Sequence, residues 1–363
     1  MNRFLEIDEK KYERIICISD IHGGYDTFQK LLSKIDFSDE DLLVLLGDNV
    51  QRGNNSHKVM EYIEVLNKKD NVLLIQGNHE SYILYLLREE NGAKLMKHLR
   101  KIWYPCILKY WTSEIGVNVK EDFDPVWLQK EIKKRYGKYI DLMKSMYYGA
   151  ESENYIFVHA GIDVDKPWKE SDIDSLMISK EFQYKKHNEE KKIVVGHWPT
   201  SNYRKNSLKC DILVDEKNRI ISIDGGFGIK TFGQLNAFII DPKEGTWYSE
   251  SEDNLNKTNV KQSNTIKFEK IVKVDWNDNK VKILNRGVEF TYCQKLSTGE
   301  KFYVKNELIL KKRDLLMLKD DYISRYHLVK KGEYVKEIKR IGKFAIAKYR
   351  GEVGLVPVKC LED

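Results

Sequence analysis

No apolar run in the 363 residues comes near the roughly 20 that a membrane-crossing helix needs, which leaves a helical span out of the reading. The stretch Met1–Lys11 is polar and charged and lacks the apolar centre of a secretory leader, so the sequence predicts a cytoplasmic protein. Five cysteines (Cys17, Cys106, Cys210, Cys293 and Cys360) are scattered and form no Cys-x-x-Cys pair. Their odd number argues against a disulfide framework and leaves reduced thiols without an assigned role. No internal repeat is visible, and nothing around any serine or cysteine marks a catalytic nucleophile.

What is present suits a globular chain, with 41% hydrophobic residues and a length that predicts one large domain and a smaller one. The net charge of +6 is unevenly spread. From Ser251 onward there are 25 Lys and Arg against 16 Asp and Glu, so this tail carries +9 and the rest −3. Dispersed lysines on a small β domain read as a solvated face, with a surface for nucleic acid or an acidic partner as the alternative.

The chemistry-bearing stretch is Ile15-Ile16-Cys17-Ile18-Ser19-Asp20-Ile21-His22-Gly23-Gly24, an apolar run that breaks into a carboxylate, an imidazole and two glycines. Such a run reads as a buried strand, so Asp20 and His22 fall where the backbone leaves the sheet, the place where α/β folds keep their chemistry. One hard oxygen and one imidazole nitrogen on a glycine-bent loop suit a divalent metal of intermediate softness. Four more apolar runs end alike: Leu42–Leu46 into Gly47-Asp48, Val72–Ile75 into Gly77-Asn78-His79-Glu80, Tyr155–Val158 into His159-Ala160-Gly161, and Ile193–Val195 into Gly196-His197. Helical spacing over Tyr25–Ile35 and His57–Leu66, and a helix from near Glu80, predict a mixed, largely parallel sheet covered by helices. Residues 81–145 turn to long helical patterns broken near Asn91-Gly92, Pro105 and Pro125, an insertion that could cap the site. Its aromatics Trp103, Tyr104, Tyr110 and Trp111 read as core, with a lid or base-stacking role as the alternative. His57, His98, His187 and His327 read as packing or surface residues, and Asp224 before Gly225-Gly226 as a structural turn.

Asp20-Ile21-His22-Gly23, Gly47-Asp48-Asn49-Val50-Gln51-Arg52-Gly53, Gly77-Asn78-His79-Glu80, His159-Ala160-Gly161 and Gly196-His197 stand in the order of the calcineurin-like metallophosphoesterases. The likeness covers about residues 13–248 and is similar, more narrowly, to the bacterial serine/threonine-phosphatase branch of the phosphoprotein phosphatase family. Pro199, where phosphodiesterase branches carry a second histidine, favours that branch. The resemblance implies an α/β fold, a four-layer αββα sandwich over residues 1–250 with the helical insertion. It implies two divalent metal ions, manganese first, with iron, zinc, nickel or magnesium as alternatives. The first would take Asp20, His22 and Asp48, and the second Asp48, Asn78, His159 and His197. His79 would be the general acid and Arg52 the fork on the phosphate oxygens.

Two departures stand out. Gln51 occupies the place of the family's second aspartate, which orients the acid histidine, and its carbonyl is expected to accept a hydrogen bond from His79 without supplying charge. Between His159 and His197 there is no arginine, so Lys180 in Ile178-Ser179-Lys180 is left as the second phosphate-binding cation, a point charge rather than a fork.

The tail, 257–363, lies outside the resemblance and reads as a basic β-rich domain. Lys267–Trp276 and Lys280–Leu284, joined by Asn277-Asp278-Asn279, predict a hairpin, and Asp314–Leu318 a helical turn or a strand. Residues 326–363 resemble, weakly, the end of an SH3-type barrel. The expected activity is hydrolysis of phosphate esters by a protein Ser/Thr phosphatase or promiscuous phosphomonoesterase. A dinucleoside polyphosphate hydrolase is the second expectation, and a nucleic-acid- or partner-binding protein with secondary catalysis the third.

Overall fold

Strand segments such as Ile15–Ile18 (IICI), Leu42–Leu45 (LLVL) and Tyr155–Val158 (YIFV) are apolar at every position and buried on both faces. Alternate side chains of one strand must therefore enter two different cores. In the computed structural model, which describes residues 3–266 and 271–362, that requirement is met by two stacked sheets with helices outside each. The strands are β1 (Phe4–Glu6), β2 (Ile15–Ile18), β3 (Leu42–Leu45), β4 (Val72–Leu74), β5 (Gly149–Glu151), β6 (Tyr155–Val158), β7 (Lys192–Val195), β8 (Leu213–Asp215), β9 (Ile220–Ser222), β10 (Leu235–Asp241) and β11 (Thr246–Glu252). One sheet has the order β11-β10-β2-β3-β4 and the other β1-β5-β6-β7-β9-β8. Sequence periodicity predicts a mixed, largely parallel sheet, and the family resemblance a sandwich of two sheets. Two form because a doubly apolar strand satisfies a sheet on one side as well as it satisfies helices on both.

Between the sheets lie Ile15, Cys17, Val44 and Leu73 from one and Phe157, Val194 and Ile221 from the other. The opposite face of the first sheet, Ile16, Ile18, Leu43 and Leu45, packs on helices α1 (Tyr25–Lys34), α2 (Ser56–Leu66) and α3 (Asn78–Leu86), and on the insertion helices α4 (Gly92–Lys101), α5 (Ile107–Ile115) and α6 (Pro125–Ser145). Full burial of a side chain such as Phe28 is worth about 1.5–3 kcal/mol. The outer face of the second sheet, Ile156, Val158 and Ile193, is covered by Trp168, Phe182 and α7 (Ile173–Ile178). This is the αββα sandwich. The helix breaks fall at the turn signals, since Gly92 opens α4 and Pro125 stands first in α6, where its missing N–H is no loss. All five cysteines are buried as thiols, with no disulfide among the described residues.

By packing, the chain divides into two units: residues 1–200, 212–229 and 233–253, and a second made of 201–211, 230–232 and 254–363. In the second unit the strands are β12 (Asn256–Asn259), β13 (Lys273–Val274), β14 (Lys280–Arg286), β15 (Phe290–Lys295), β16 (Lys301–Lys305), β17 (Ile309–Lys312), β18 (Leu315–Leu318), β19 (Tyr322–Ile323), β20 (Tyr334–Ile341), β21 (Phe344–Tyr349) and β22 (Glu352–Pro357). They pair as β12-β20-β21-β22, β13-β19 and β16-β15-β14-β18-β17. Among the described residues the expected hairpin across Asn277-Asp278-Asn279 does not form. Val274 pairs with Tyr322 and β14 pairs with β15 and β18, while 267–270 lie outside the described residues. Both partners offered alternating apolar positions, and local pattern does not rank them. Residues 315–318 are a strand, and 334–357 form the β20–β22 meander with a closing 3₁₀ turn, Val358–Cys360. Not all tail lysines are solvated. Lys273 donates to the carbonyls of Ser201 and Arg204, and Lys295 and Lys305 are buried beside Asp278 and Glu289.

Candidate metal centre and active site

The strand ends of both sheets of the first unit deliver the donor atoms. Asp20 and His22 follow β2, Asp48 follows β3, Asn78 and His79 open α3 after β4, His159 follows β6 and His197 follows β7. Asp20, His22, Asp48 and His197 hold left-handed backbone, with φ of 54°, 46°, 55° and 65°. Asp and His tolerate that region better than most residues, yet each instance costs about 1–3 kcal/mol and persists only where its surroundings hold it. Here the loops hold one another. The N–H of Asp20 donates to the Gly47 carbonyl, that of His22 to the Asp48 carbonyl and that of His197 to Asp20 Oδ2 at 2.9 Å. The β3 and β4 loops touch at Gly47 and Gly77, where a Cβ on Gly77 would lie 2.3 Å from the Asp48 nitrogen.

Glu80 is the tie that the sequence reading left without a role. It is fully buried, and its carboxylate accepts the N–H groups of Asp48 (2.9 Å), Asn49 (2.8 Å) and Gly77 (3.1 Å). Glu80 at the third position of α3 reaches back to the Gly77 N–H, the half of a capping box that glutamate supplies, so a glutamate at this offset from a glycine-ended strand carried part of the signal.

Asp48 is the hub. Its Oδ1 accepts the His79 N–H at 2.8 Å, and its Oδ2 lies 3.5 Å from His159 Nε2 and 3.8 Å from His79 Nε2. Burial would raise its pKa, but the charge and hydrogen bond of His159 pull it well below the carboxylate range. His159 receives the converse. Burial opposes its charging, yet Asp48 and Asp20 and the Leu46 carbonyl raise it to about 10. His22 and His197 are driven by burial to about 3 and so are neutral donors at neutral pH. Asp20 is raised, first by burial and then by the charge of Asp224, which itself closes a turn onto the Gly226 N–H.

The donor set fits divalent metals. Asp20 Oδ1 and His22 Nε2 lie 3.7 Å apart, are buried, and have no hydrogen-bond partner among the described residues. Buried polar atoms without partners are costly unless a cation is to meet them. Two groups of donors lie within 4.8 Å, His22 with Asp48 and His79, and Asp48 with His159 and His197. Asp48 belongs to both. Asn78 Oδ1 stands 3.0 Å from His159 Nε2 and joins the second group. His79, to which the sequence reading gave no metal contact, stands beside the first, with its side chain 13% exposed where His22 is closed off.

Gln51 is placed otherwise than expected. Its Oε1 accepts the N–H of Ile107 at 3.2 Å, the first residue of α5, and not a proton of His79. A buried helix N-terminus needs acceptors for its free N–H groups, and Gln51 reaches this one across 56 residues of sequence. Its neighbour Arg52 stacks its guanidinium 4.2 Å from the centre of the Tyr104 ring, and its buried Nε donates to nothing among the described residues. His57 stacks on Tyr110 at 4.0 Å. The insertion is thus tied to the loop 51–57 at three points. Its aromatics divide: Trp111 is core, Tyr104 serves Arg52, and Trp103 is 85% exposed rather than buried. Lys180 is exposed, and its charge helps lower His197. His98, His187 and His327 pack against Tyr82, Phe182 and Tyr349.

Residues 13–221 match the family model described as calcineurin-like phosphoesterase. Serine/threonine-protein phosphatase 2 of Salmonella typhimurium is 29% identical over 182 residues, which are 49% of this chain and 73% of that protein. The symmetrical bis(5'-nucleosyl)-tetraphosphatase of Buchnera aphidicola is 48% identical over 64 residues, 17% of this chain and 23% of that one. The zinc-dependent endopolyphosphatase of Saccharomyces cerevisiae is 41% identical over 108 residues, 29% of this chain and 32% of that one. The matched stretch therefore spans a third or less of these last two relatives. With the family model covering more than half of its length, the chain belongs to the calcineurin-like phosphoesterases, hydrolases that act on phosphate esters.

Proposed function

We propose that the protein is a phosphomonoesterase dependent on two divalent metals, acting on phosphoserine or phosphothreonine. The observation that carries the reading is Asp48, a single carboxylate within reach of both donor groups. When bound, two divalent cations supply Lewis acidity and an activated water for in-line displacement. Asp20, His22 and Asp48 would hold the first, and Asp48, Asn78, His159 and His197 the second. Arg52, steadied on Tyr104, presents its N–H groups to the phosphate oxygens, and Lys180 adds a point charge. His79, which keeps a solvent face, gives its proton to the leaving alkoxide. The likeness to the Salmonella phosphatase over most of that protein's length supports this substrate class.

A second reading, hydrolysis of dinucleoside polyphosphates, is favoured by Gln51. Its carbonyl is engaged by Ile107, so the residue at that position lends His79 no acceptor and no charge. A phosphate leaving group needs less acid help than an alkoxide does. Turnover of a phosphoserine peptide and of diadenosine tetraphosphate, side by side in Mn²⁺ and then in the other metals, decides between them. Faster turnover of the peptide, with His79→Asn crippling it more than it cripples an aryl phosphate, is expected. Hydrolysis confined to the dinucleotide would overturn the first reading in favour of the second.

A further inference from the structure

The five-stranded sheet of the second unit has a lopsided composition. Strands β14 to β18 contain eight Lys and Arg residues and no Asp or Glu. Lys295 and Lys305 are buried and paired, but Lys280, Lys282, Arg286, Lys301, Lys311 and Lys312 are exposed, and none of the six forms an ion pair among the described residues. The strands alternate. Val281, Thr291, Cys293, Phe302 and Val304 face the core, which turns Lys282, Tyr292, Gln294, Lys301 and Tyr303 to the other side. There Tyr292 and Tyr303 are direct cross-strand partners with ring centres 4.7 Å apart, and Tyr303 is 46% exposed. Lys282 and Lys301 flank them through Gln294, and Lys280 continues the row to Met317 and Leu310. Toward Phe290 and Lys305 the face is closed by Phe344. What remains is a bounded platform of tyrosine rings with Lys280, Lys282, Lys301 and Lys312 on the same face, while Arg286 and Lys311, in register with Thr291 and Leu316, fall on the other.

We infer that this face of the β14–β18 sheet binds single-stranded nucleic acid, its lysines following the phosphates and Tyr303 and Tyr292 stacking on bases. An acidic protein would be met by the lysines alone, and the paired rings would be idle. For a single strand both features are used, since every base offers a π face and every nucleotide a negative charge. The strand-borne lysines are point charges without forks, which suits contact with a backbone irrespective of sequence.

The test uses the full-length protein and fluorescein-labelled oligouridylate and oligothymidylate of about 20 nucleotides, read by anisotropy from about 50 mM salt upward. Binding to either probe is expected, with log K falling against log[salt] at a slope near −3 if the four lysines of this face meet phosphates at about −0.7 each. The double variant Lys282→Glu/Lys301→Glu should reduce that slope by about 1.4, whereas Lys130→Glu on α6 should leave it unchanged. Tyr303→Ala should weaken binding about fivefold or more, with Tyr303→Phe close to wild type, in proteins whose melting curves coincide. No anisotropy change at the lowest salt overturns the inference, as does equal weakening by Lys130→Glu. Binding that is lost in the lysine variant but unaltered in Tyr303→Ala overturns it too, and marks the face as a polyanion surface for an acidic partner.

Discussion

Asp48 accepts the backbone N–H of His79, stands within 4 Å of two imidazoles, and has its own backbone held by Glu80. No other residue of the site joins as many of its parts. Outer partners of metal ligands are worth about 10–100-fold in affinity or activity, so loss of a ligand shared by two ions should exceed that. Asp48→Asn is expected to lose more than about a hundredfold in turnover, and His57→Ala, whose ring stacks on Tyr110, less than about threefold. Assays of both variants at saturating Mn²⁺ check this, with circular dichroism to confirm that each is folded. Comparable losses would remove Asp48 from the centre of the mechanism.

At the scale of the element, the helical insertion acts on the site through Tyr104 and Ile107. If Tyr104 is the shelf that orients Arg52, Tyr104→Ala removes a cation–π contact worth about 0.5–2 kcal/mol, and KM for a small phosphate ester should rise about 2- to 30-fold with kcat nearly unchanged. A fall in kcat at constant KM would instead place the ring on the chemical step. A second element-level joint lies at the entry to β2. Arg14 binds Asp41 through two 2.7 Å bonds and donates to the carbonyls of Ile35 and Asp36, closing the loop that follows α1. Burial would raise the Asp41 pKa, but Arg14 and the Ser38 N–H lower it below the ordinary carboxylate value. A carboxylate depressed in the folded state contributes stability that is fully present above its unfolded pKa of about 3.9 and is lost as pH falls through the lower folded value. The urea midpoint of wild type should therefore fall below about pH 4 more steeply than that of Asp41→Asn, which should start lower and change less. Parallel curves would show that the pair does not titrate in this window.

On the scale of the whole molecule, the second unit is not a simple appendage. Leu208, Cys210 and Phe232, drawn from between site-bearing strands, pack with Ile323 and Val353 of the tail, and Ser207 and the Leu208 N–H bind Glu352. A chain ending at Asp253 leaves these apolar side chains without cover. It is expected to bind a hydrophobic dye strongly, and Leu208→Ser with Phe232→Ser in the same shortened chain should abolish most of that signal. A shortened chain with the dye response and melting temperature of the whole protein would show that the 201–211 and 230–232 segments find cover elsewhere.

The sequence by itself determined the parts that are written in contiguous residues. Apolar runs ending in Asp, His and Asn mark strand ends, because a buried strand must stop where a charge begins, and their order names the family. Helix limits at Gly92 and Pro125 were legible for the same local reason. The tertiary structure alone decided which residues meet across long separations. Gln51 turned to the Ile107 N–H rather than to His79, Arg52 lay on Tyr104, Val274 chose Tyr322 over its neighbour in the chain, and 201–211 joined the tail. Each of those outcomes is a choice among partners of like chemistry, and it is settled by which groups the packing brings within 3–4 Å, a quantity that no local preference encodes.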